Sequence, residues 1–334
     1  HYQSNLEFSY NSELSEFFQS RNYYRAKERC LKMMDRLDFY GMFNRIDRES
    51  VFHQLSLFIL KEIIDNKPEY LIATENPHSH AHYLIYEICD FLNLKLAKFN
   101  SWGLISPLLF VQDMNSLEKT KIEFNHKNIL KKKVISELEE YIDNLSRRNF
   151  NDNYFPSYIL KQNSSYINKS FSELIKEMIY MLKLEVFLIR MNFSNKYYKI
   201  NPYKVNFFSR KFIRKRKKET LLRQHNINLR SFNKDSEFIY FPLHFEPERT
   251  TNPDGGDFHD QFLALITLRS FVPKNIKIYV KEHPSQFLLS NRGILGRSPI
   301  FYELINKLNN VFLIDIKSDN FTLIKHSNFV ATIT

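Results

Sequence analysis

The sequence predicts an α/β protein with two domains, each built on a parallel β-sheet that is covered by helices. Three observations predict this class. The chain has 334 residues, more than the roughly 250 to 300 residues at which a single hydrophobic core stops growing. Its hydrophobic content of 43% is sufficient for a buried core. Short apolar runs alternate with helical patterns, most clearly after residue 237, as in doubly wound sheets.

The first predicted domain, residues 1–232, is expected to be rich in helices. Apolar residues recur at helical spacing through its first 65 positions, and Gly41 is predicted to separate two helices. A strand at 70–73, a polar turn, a helix at 80–92 and a strand at 94–99 follow. This order is typical of a parallel unit with a right-handed crossover.

The region from 115 to 235 is rich in lysine and asparagine and shows long helical patterns. The clearest patterns predict helices at 129–145 and 171–191. We expect helical insertions in the first domain here, followed by a basic linker.

The second predicted domain, residues 233–334, alternates strands with helices. Strands are predicted at 238–242, 276–280, 311–314 and 329–333, and helices at 260–271, 299–308 and 321–326. A ligand-binding loop would normally follow the last strand, so we expect this domain to be incomplete at Thr334.

The composition of the chain indicates its cellular compartment and limits the phosphate-binding motifs that it can contain. Cys30 and Cys89 are the only cysteines, both within apolar helical patterns, which favours a reducing compartment. A signal peptide and an apolar run long enough to span a membrane are not visible, so we expect a soluble, cytoplasmic protein. None of the six glycines forms a dinucleotide-binding or P-loop motif.

A net charge of +11 favours an anionic partner. Much of the excess lies in Arg210–Lys218, where seven of nine residues are basic and the other two are Phe212 and Ile213. A solvated linker or helix face is one interpretation of this run. Attachment to an anionic membrane surface is another, and nucleic-acid binding is a third, although no specific nucleic-acid motif accompanies it.

Candidate site residues follow the predicted strands, because ligands of open α/β sheets bind at the carboxyl ends of the strands. The loop 242–261 is long, acidic and contains Arg249, and loops of this length are usually functional. The strand at 276–280 leads directly to Lys281 and His283. In the first domain, the loop 74–80 follows a strand.

Four segments of the second domain resemble the capsule polysaccharide biosynthesis family, which includes transferases of Kdo and related sugars. They are YFPLHFEPERTTNPDGGDFHDQ, KIYVKEHPSQF, RSPIFYELINKLNNVFLID and SNFVATIT, which occur in this order within residues 237–334. The resemblance implies a GT-B architecture, in which two Rossmann-type domains face a cleft. It further implies a metal-independent glycosyltransferase that takes a sugar from a CMP- or UDP-linked donor, without another cofactor, and adds it to a bacterial capsule or lipopolysaccharide.

A departing nucleotide requires fixed positive groups and hydrogen-bond donors for its phosphate. Lys281 and His283 suit this role, although a His-Pro turn with the histidine bonded to the backbone is the alternative. Glu248 and Arg249 are candidates for donor binding in the long loop. Asp260 and Gln261 are further candidates, because they lie at the start of a helix, whose free backbone amides favour anions. The alternative is that Asp257 or Asp260 caps this helix.

The acceptor hydroxyl requires a general base from the opposite domain, for which Glu75 and His78 are the candidates. The alternative is that Asn76 or Ser79 caps the following helix while Glu75 is solvated. His78, His80 and His82 suggest a metal site, but His80 would point away from the other two on a helix, so no metal is predicted. A nucleotide-sugar epimerase and a non-enzymatic membrane or nucleic-acid binder remain the alternative functions.

Overall fold

The structure is a computed structural model that describes residues 12–38, 43–73, 77–101, 108–111, 136, 139, 171–194, 207–248, 250–287 and 292–333. In chain order the elements are α1 (Ser12–Gln19), α2 (Arg21–Leu37), α3 (Arg45–Asn66), β1 (Tyr70–Ala73), α4 (His80–Phe91), β2 (Lys95–Ser101), β3 (Leu108–Val111), α5 (Phe171–Ser194), α6 (Phe207–Ile227), β4 (Phe238–Pro242), α7 (Gln261–Phe271), β5 (Lys277–Lys281), α8 (Pro299–Lys307), β6 (Val311–Ile314), α9 (Asn320–His326) and β7 (Phe329–Val330). The predicted α/β class is confirmed.

The chain divides into two compact units. The first comprises residues 1–68, 77–93 and 198–334, and the second comprises residues 69–76 and 94–197. The first unit thus joins α1 to α4 with everything from α6 onward. The boundary predicted between residues 232 and 233 falls inside this unit.

A four-stranded parallel sheet forms the centre of the first unit. Its strand order is β6-β5-β4-β7, and every neighbouring pair is parallel. Strands β4 and β5 are buried on both faces, as expected where helices cover a parallel sheet. One face packs on Leu221, Leu265, Tyr302 and Ile305, and the other packs on Phe232 and Leu323.

Strand β7 is shorter than predicted, and Pro242 explains the difference. Ile239 and Tyr240 of β4 pair with Phe329 and Val330, and the Ala331 amide donates to the Tyr240 carbonyl. The next rung would require an N–H from position 242, which proline does not possess. The ladder therefore ends there.

Helices α1 to α4 form a second hydrophobic cluster of the same unit, in which α2 packs mainly against α4. Their inward positions are spaced three and four apart, as in an amphipathic helix. The buried residues of these two helices include Ala26, Cys30, Met33, Tyr83, Leu84 and Ile88. Cys30 and Cys89 are both buried and unpaired, as predicted for small apolar residues.

Hydrogen bonds attach α2 to the loop that follows β4. The buried Arg29 guanidinium donates to the Asp257 carboxylate at 2.9 Å, and the backbone carbonyl of Arg29 accepts from the side-chain amide of Asn252. Lys32 Nζ donates to the His259 carbonyl at 2.8 Å. The segment 250–260 therefore joins the helical cluster to the parallel sheet, which is a structural role for much of the predicted loop.

The second unit contains a three-stranded sheet in the order β1-β2-β3. The β1–β2 pair is parallel, as predicted, whereas the antiparallel strand β3 was not predicted. Helix α5 confirms the pattern seen at 171–191. The helix predicted at 129–145 and the break predicted at Gly41 lie outside the described residues, apart from the helical positions Ser136 and Glu139.

Among the described helices, none combines the length and the apolar composition that crossing a membrane would require.

Candidate functional site

The order of the strands in the first unit locates a candidate site. Strands β5 and β6 lie on one side of β4, and β7 lies on the other side. This is the arrangement of the first four strands in the dinucleotide-binding fold, in which ligands occupy the crevice where the strand order reverses. In this chain, that position is the carboxyl end of β4 beside β7.

His244 and Thr332 meet at this position. His244 is the second residue after β4, and its Nε2 lies 2.9 Å from Thr332 Oγ1, two residues beyond β7. Burial lowers the pKa of His244, against the opposing influence of Glu248 and Glu246. The imidazole is therefore neutral near pH 7.

His283 follows β5, which pairs with β4 on the side away from β7, and His244 belongs to its electrostatic surroundings. The Ser285 amide donates to His283 Nδ1 at 3.1 Å, and the imidazole packs against the Phe245 ring with centroids 5.9 Å apart. This is the His-Pro turn considered as an alternative. Because Nδ1 accepts, the neutral ring carries its proton on Nε2, which is then a hydrogen-bond donor. Burial lowers the pKa of His283, while Glu282 opposes this effect.

Lys281 is engaged elsewhere. Its side chain is buried, and Nζ donates to the Ser318 carbonyl at 2.6 Å and to the Asn320 amide oxygen. Burial lowers the pKa of this amine, opposed by Asp319 and Asp315. Lys281 therefore fixes the turn before α9, and a direct contact with a donor phosphate remains a prediction.

A buried ion pair supports the His283 turn from behind. The Glu282 carboxylate is 1% exposed and accepts from Arg297 Nε at 2.9 Å, from the Tyr302 hydroxyl at 2.9 Å and from the His283 amide at 2.8 Å. The Arg297 guanidinium, 6% exposed, also donates to the His244 carbonyl at 2.9 Å. One pair thus fixes the backbone of both histidines.

Two buried amide side chains hold the loop after β4. Gln261 Oε1 accepts from the His244 amide at 2.8 Å, while its Nε2 donates to the His244 carbonyl and to Glu246 Oε1 at 3.1 Å each. Gln286 bonds both backbone groups of Glu246 in the same manner. Gln261, predicted to bind the donor, is therefore a positioning residue for His244 in this structure.

The other residues predicted for the donor site either bond to neighbouring residues or lie outside the described residues. Asp260 caps α7 by accepting from the Phe262 and Leu263 amides, which is the alternative left open above. The exposed Glu248 accepts from the Thr250 hydroxyl at 3.2 Å. Arg249 lies outside the described residues, so its role remains a prediction.

The predicted general bases are only partly described. Glu75 lies outside the described residues. His78 is exposed, and its carbonyl accepts from the Arg36 guanidinium at 2.6 Å. Ser79 caps α4 by accepting from the His82 amide, in agreement with the capping alternative. In the parts of the chain that the structure describes, no group of three or more His, Cys, Asp or Glu residues is placed to hold a metal ion.

Sequence reasoning missed several residues that build this site, namely His244, Glu246, Glu282, Arg297 and Thr332. His244 had a usable signal, because it follows a predicted strand as closely as His283 does. Its importance depends on β4 lying next to β7, and the order of strands in a sheet is not visible in the spacing of motifs.

The assembled site offers imidazole and hydroxyl groups at the switch point, fixed by a buried cation and two amides. Hydrogen-bond donors held in advance in this manner suit the oxygen atoms of an anionic or polyhydroxylated ligand. No family model matches the chain, and neither a curated protein nor a solved structure matches it.

Proposed function

We propose that this protein is a metal-independent glycosyltransferase of the GT-B type. It moves a sugar from a CMP- or UDP-linked donor to a growing bacterial capsule or lipopolysaccharide glycan. The observation that carries the proposal is the pair of neutral histidines, His244 at the switch point of a parallel sheet and His283 at the end of the adjacent strand β5. The resemblance of four ordered segments to the capsule polysaccharide family supports the class of substrate.

The proposed reaction requires a nucleophile and a stabilised leaving group. The acceptor hydroxyl oxygen attacks the anomeric carbon while the bond from that carbon to the donor phosphate oxygen breaks. The electron pair leaves with the nucleotide, and the hydroxyl proton passes to a general base. Glu75 remains the first candidate and His78 the second, although residue 78 belongs to the same compact unit as the parallel sheet and not to an opposite domain. Negative charge on the departing phosphate is stabilised by donors fixed before the reaction begins.

We assign the contacts with the nucleotide phosphate to the His283 Nε2–H group, His244 and Thr332. Gln261 and Arg297 act as positioning residues, because each bonds the backbone of His244 rather than facing the crevice. Lys281 supports the neighbouring turn. That Glu248, Arg249 and Asp260 also contact the donor stays a prediction from the sequence.

A conservative substitution tests the assignment. In His283→Asn, the amide oxygen stands where Nδ1 accepts from Ser285, so the turn is retained while the Nε2 donor is lost. A hydrogen bond to a charged group contributes about 1.5 to 3 kcal/mol, so we expect CMP or UDP to bind at least about tenfold more weakly. Calorimetric titration with each nucleotide measures this, and a transfer assay with CMP- and UDP-sugars measures the activity.

His326→Asn is the matched control, because His326 is exposed on α9. Equal nucleotide affinity in wild type, His283→Asn and His244→Asn would contradict the proposed site. Folded protein that binds no nucleotide would contradict the function itself. Isomerisation of the donor sugar in the absence of any acceptor would instead indicate the epimerase.

A further inference from the structure

Helix α6 carries most of the excess positive charge of the chain. Its 21 residues include eight Lys and Arg and a single acidic residue, Glu219. The predicted basic run Arg210–Lys218 therefore lies within a helix and not in a linker.

The carboxyl half of α6 is anchored in the first unit. Leu221 is fully buried in the core of the parallel sheet, and the buried His225 ring lies between Phe287 and Tyr302, with centroids 5.2 and 5.3 Å away. Beyond the helix, Leu229 forms a parallel bridge with Leu313 of β6. These contacts fix the direction in which the helix presents its other face.

The opposite face of α6 is exposed and combines cations with apolar groups. Phe212, Arg216, Glu219 and Arg223 follow one another at helical spacing, and all four are exposed. Phe212 and Ile213 are each 60% exposed, although both are large and apolar. Lys215 lies exposed beside them, and the Arg216 guanidinium lies over the Phe212 ring at 5.3 Å.

Within helix α6 the positive charges oppose the helix dipole and one another. Seven of its eight cations lie in its amino-terminal twelve residues, and its first turn contains no acidic residue. Cations near a helix N-terminus oppose the helix dipole, and like charges four residues apart repel each other. An anionic surface would relieve both effects.

The apolar pair favours a lipid surface over a nucleic acid. A nucleic acid is bound by cations at its phosphates and by aromatic side chains that stack on its bases. The exposed aliphatic side chain of Ile213 serves neither kind of contact. Interfacial helices place exposed aromatic and aliphatic side chains among the acyl chains while flanking cations meet anionic headgroups. The exposed face of α6 has this composition.

We propose that the exposed face of α6, formed by Phe212, Ile213, Lys215, Arg216 and Arg223, docks the protein on an anionic phospholipid surface. Phe212 and Ile213 enter the boundary between headgroups and acyl chains. Lys215, Arg216 and Arg223 contact lipid phosphates. This docking does not depend on the proposed glycosyl transfer.

Co-sedimentation with vesicles tests the proposal. The full chain is mixed with sucrose-loaded vesicles of phosphatidylcholine, or of phosphatidylcholine with phosphatidylglycerol, and we expect binding to the second kind alone. A triple variant, Lys215→Gln, Arg216→Gln and Arg223→Gln, should bind about 100-fold more weakly, since each cation near an anionic surface strengthens binding about fivefold. Phe212→Ser with Ile213→Ser should lose at least about tenfold.

The matched control removes three exposed cations away from α6, in the triple variant Lys234→Gln, Lys274→Gln and Lys325→Gln. It should bind vesicles within about threefold of wild type, because membrane charge is screened within a Debye length. Thermal unfolding followed by circular dichroism verifies that all variants fold. We expect them to fold, because the substituted side chains are exposed.

Three outcomes would overturn the proposal. The first is equal binding to both vesicle types, and the second is an equal loss in the α6 and control triple variants. The third is salt-sensitive binding to duplex DNA or RNA without vesicle binding, abolished by the α6 charge variant and unchanged by the apolar variant. Nucleotide affinity should stay at its wild-type value in the α6 variants, so failure here is distinguishable from failure of the proposed function.

Discussion

At the scale of single residues, Glu282 and Arg297 form a buried ion pair that supports the candidate site. Both charges are almost completely buried, and together they bond the backbone at His283 and at His244. Removing water from two ions costs free energy that only close pairing offsets. Removing one partner leaves the other charged and without its ion-pair partner at a position buried from solvent.

We therefore predict that Arg297→Met lowers the free energy of unfolding by about 3 to 5 kcal/mol. Urea titration followed by circular dichroism measures the change. Lys307→Met is the control, because Lys307 pairs with Glu303 at 2.7 Å on the exposed surface of α8, and such a pair contributes at most about 0.5 kcal/mol. Similar losses in both variants would contradict the structural role of the buried pair.

Sequence position identified His283, Lys281 and Gln261 as residues at the ends of predicted elements, and the structure places all three at those ends. Their partners could not be predicted. Arg297 is 15 residues from Glu282 along the chain, and Asn320 is 39 residues from Lys281. Which polar groups meet depends on how the strands and loops pack, and a polar residue after a strand can equally contact a ligand or the backbone.

At the scale of elements, α7 begins beside the candidate site, and Asp260 determines where it begins. The carboxylate accepts from the Phe262 amide at 2.9 Å and from the Leu263 amide at 3.4 Å. Helix starts leave such amides without internal partners, and a capping side chain satisfies them. Because Gln261 is the first residue of α7, the cap also determines the position of the amide that holds His244.

We predict that Asp260→Ala destabilises the protein by about 1 kcal/mol, whereas Asp260→Asn, whose side chain still accepts hydrogen bonds, costs less than about half of that. Chemical denaturation measures both variants. If instead Asp260→Asn abolishes nucleotide binding at unchanged stability, the residue contacts the donor directly, as the sequence predicted.

The accuracy of the predicted elements followed the continuity of their apolar runs. Strands β4 and β6 have the predicted bounds, because each is an uninterrupted apolar segment between polar turns. Strand β7 ends early because Pro242 lies on its neighbour, which its own sequence does not reveal. The antiparallel strand β3 was missed because its four residues do not belong to a stretch in which strand and helix patterns alternate.

At the scale of the whole molecule, several histidines make stability depend on pH. Burial lowers the pKa of His244, His259 and His283 below the usual value of 6.5. In the unfolded chain these groups titrate near about 6.5. As the pH falls below that value, the unfolded chain binds protons that the folded protein does not bind, so stability falls. About one pH unit or more above that value the three imidazoles are neutral in both the folded and the unfolded state and contribute no pH dependence.

We predict that the free energy of unfolding decreases between neutral pH and about one unit below the ordinary histidine pKa, by at most about 1.4 kcal/mol per pH unit for each group. Urea titrations at the two pH values measure it. His259→Gln should reduce the slope, and the exposed His326→Gln should leave it unchanged. A stability that rises on acidification over this range would contradict the prediction.

The first unit is built from segments that lie far apart in the chain, and this has a consequence for biosynthesis. Arg29 emerges from the ribosome 228 residues before Asp257, its ion-pair partner. At synthesis rates of about 5 to 20 residues per second, this interval lasts roughly 10 to 45 s. During that time the nascent helices α1 to α4 expose the surface that later receives the segment 250–260, and chaperones have their best opportunity to bind there.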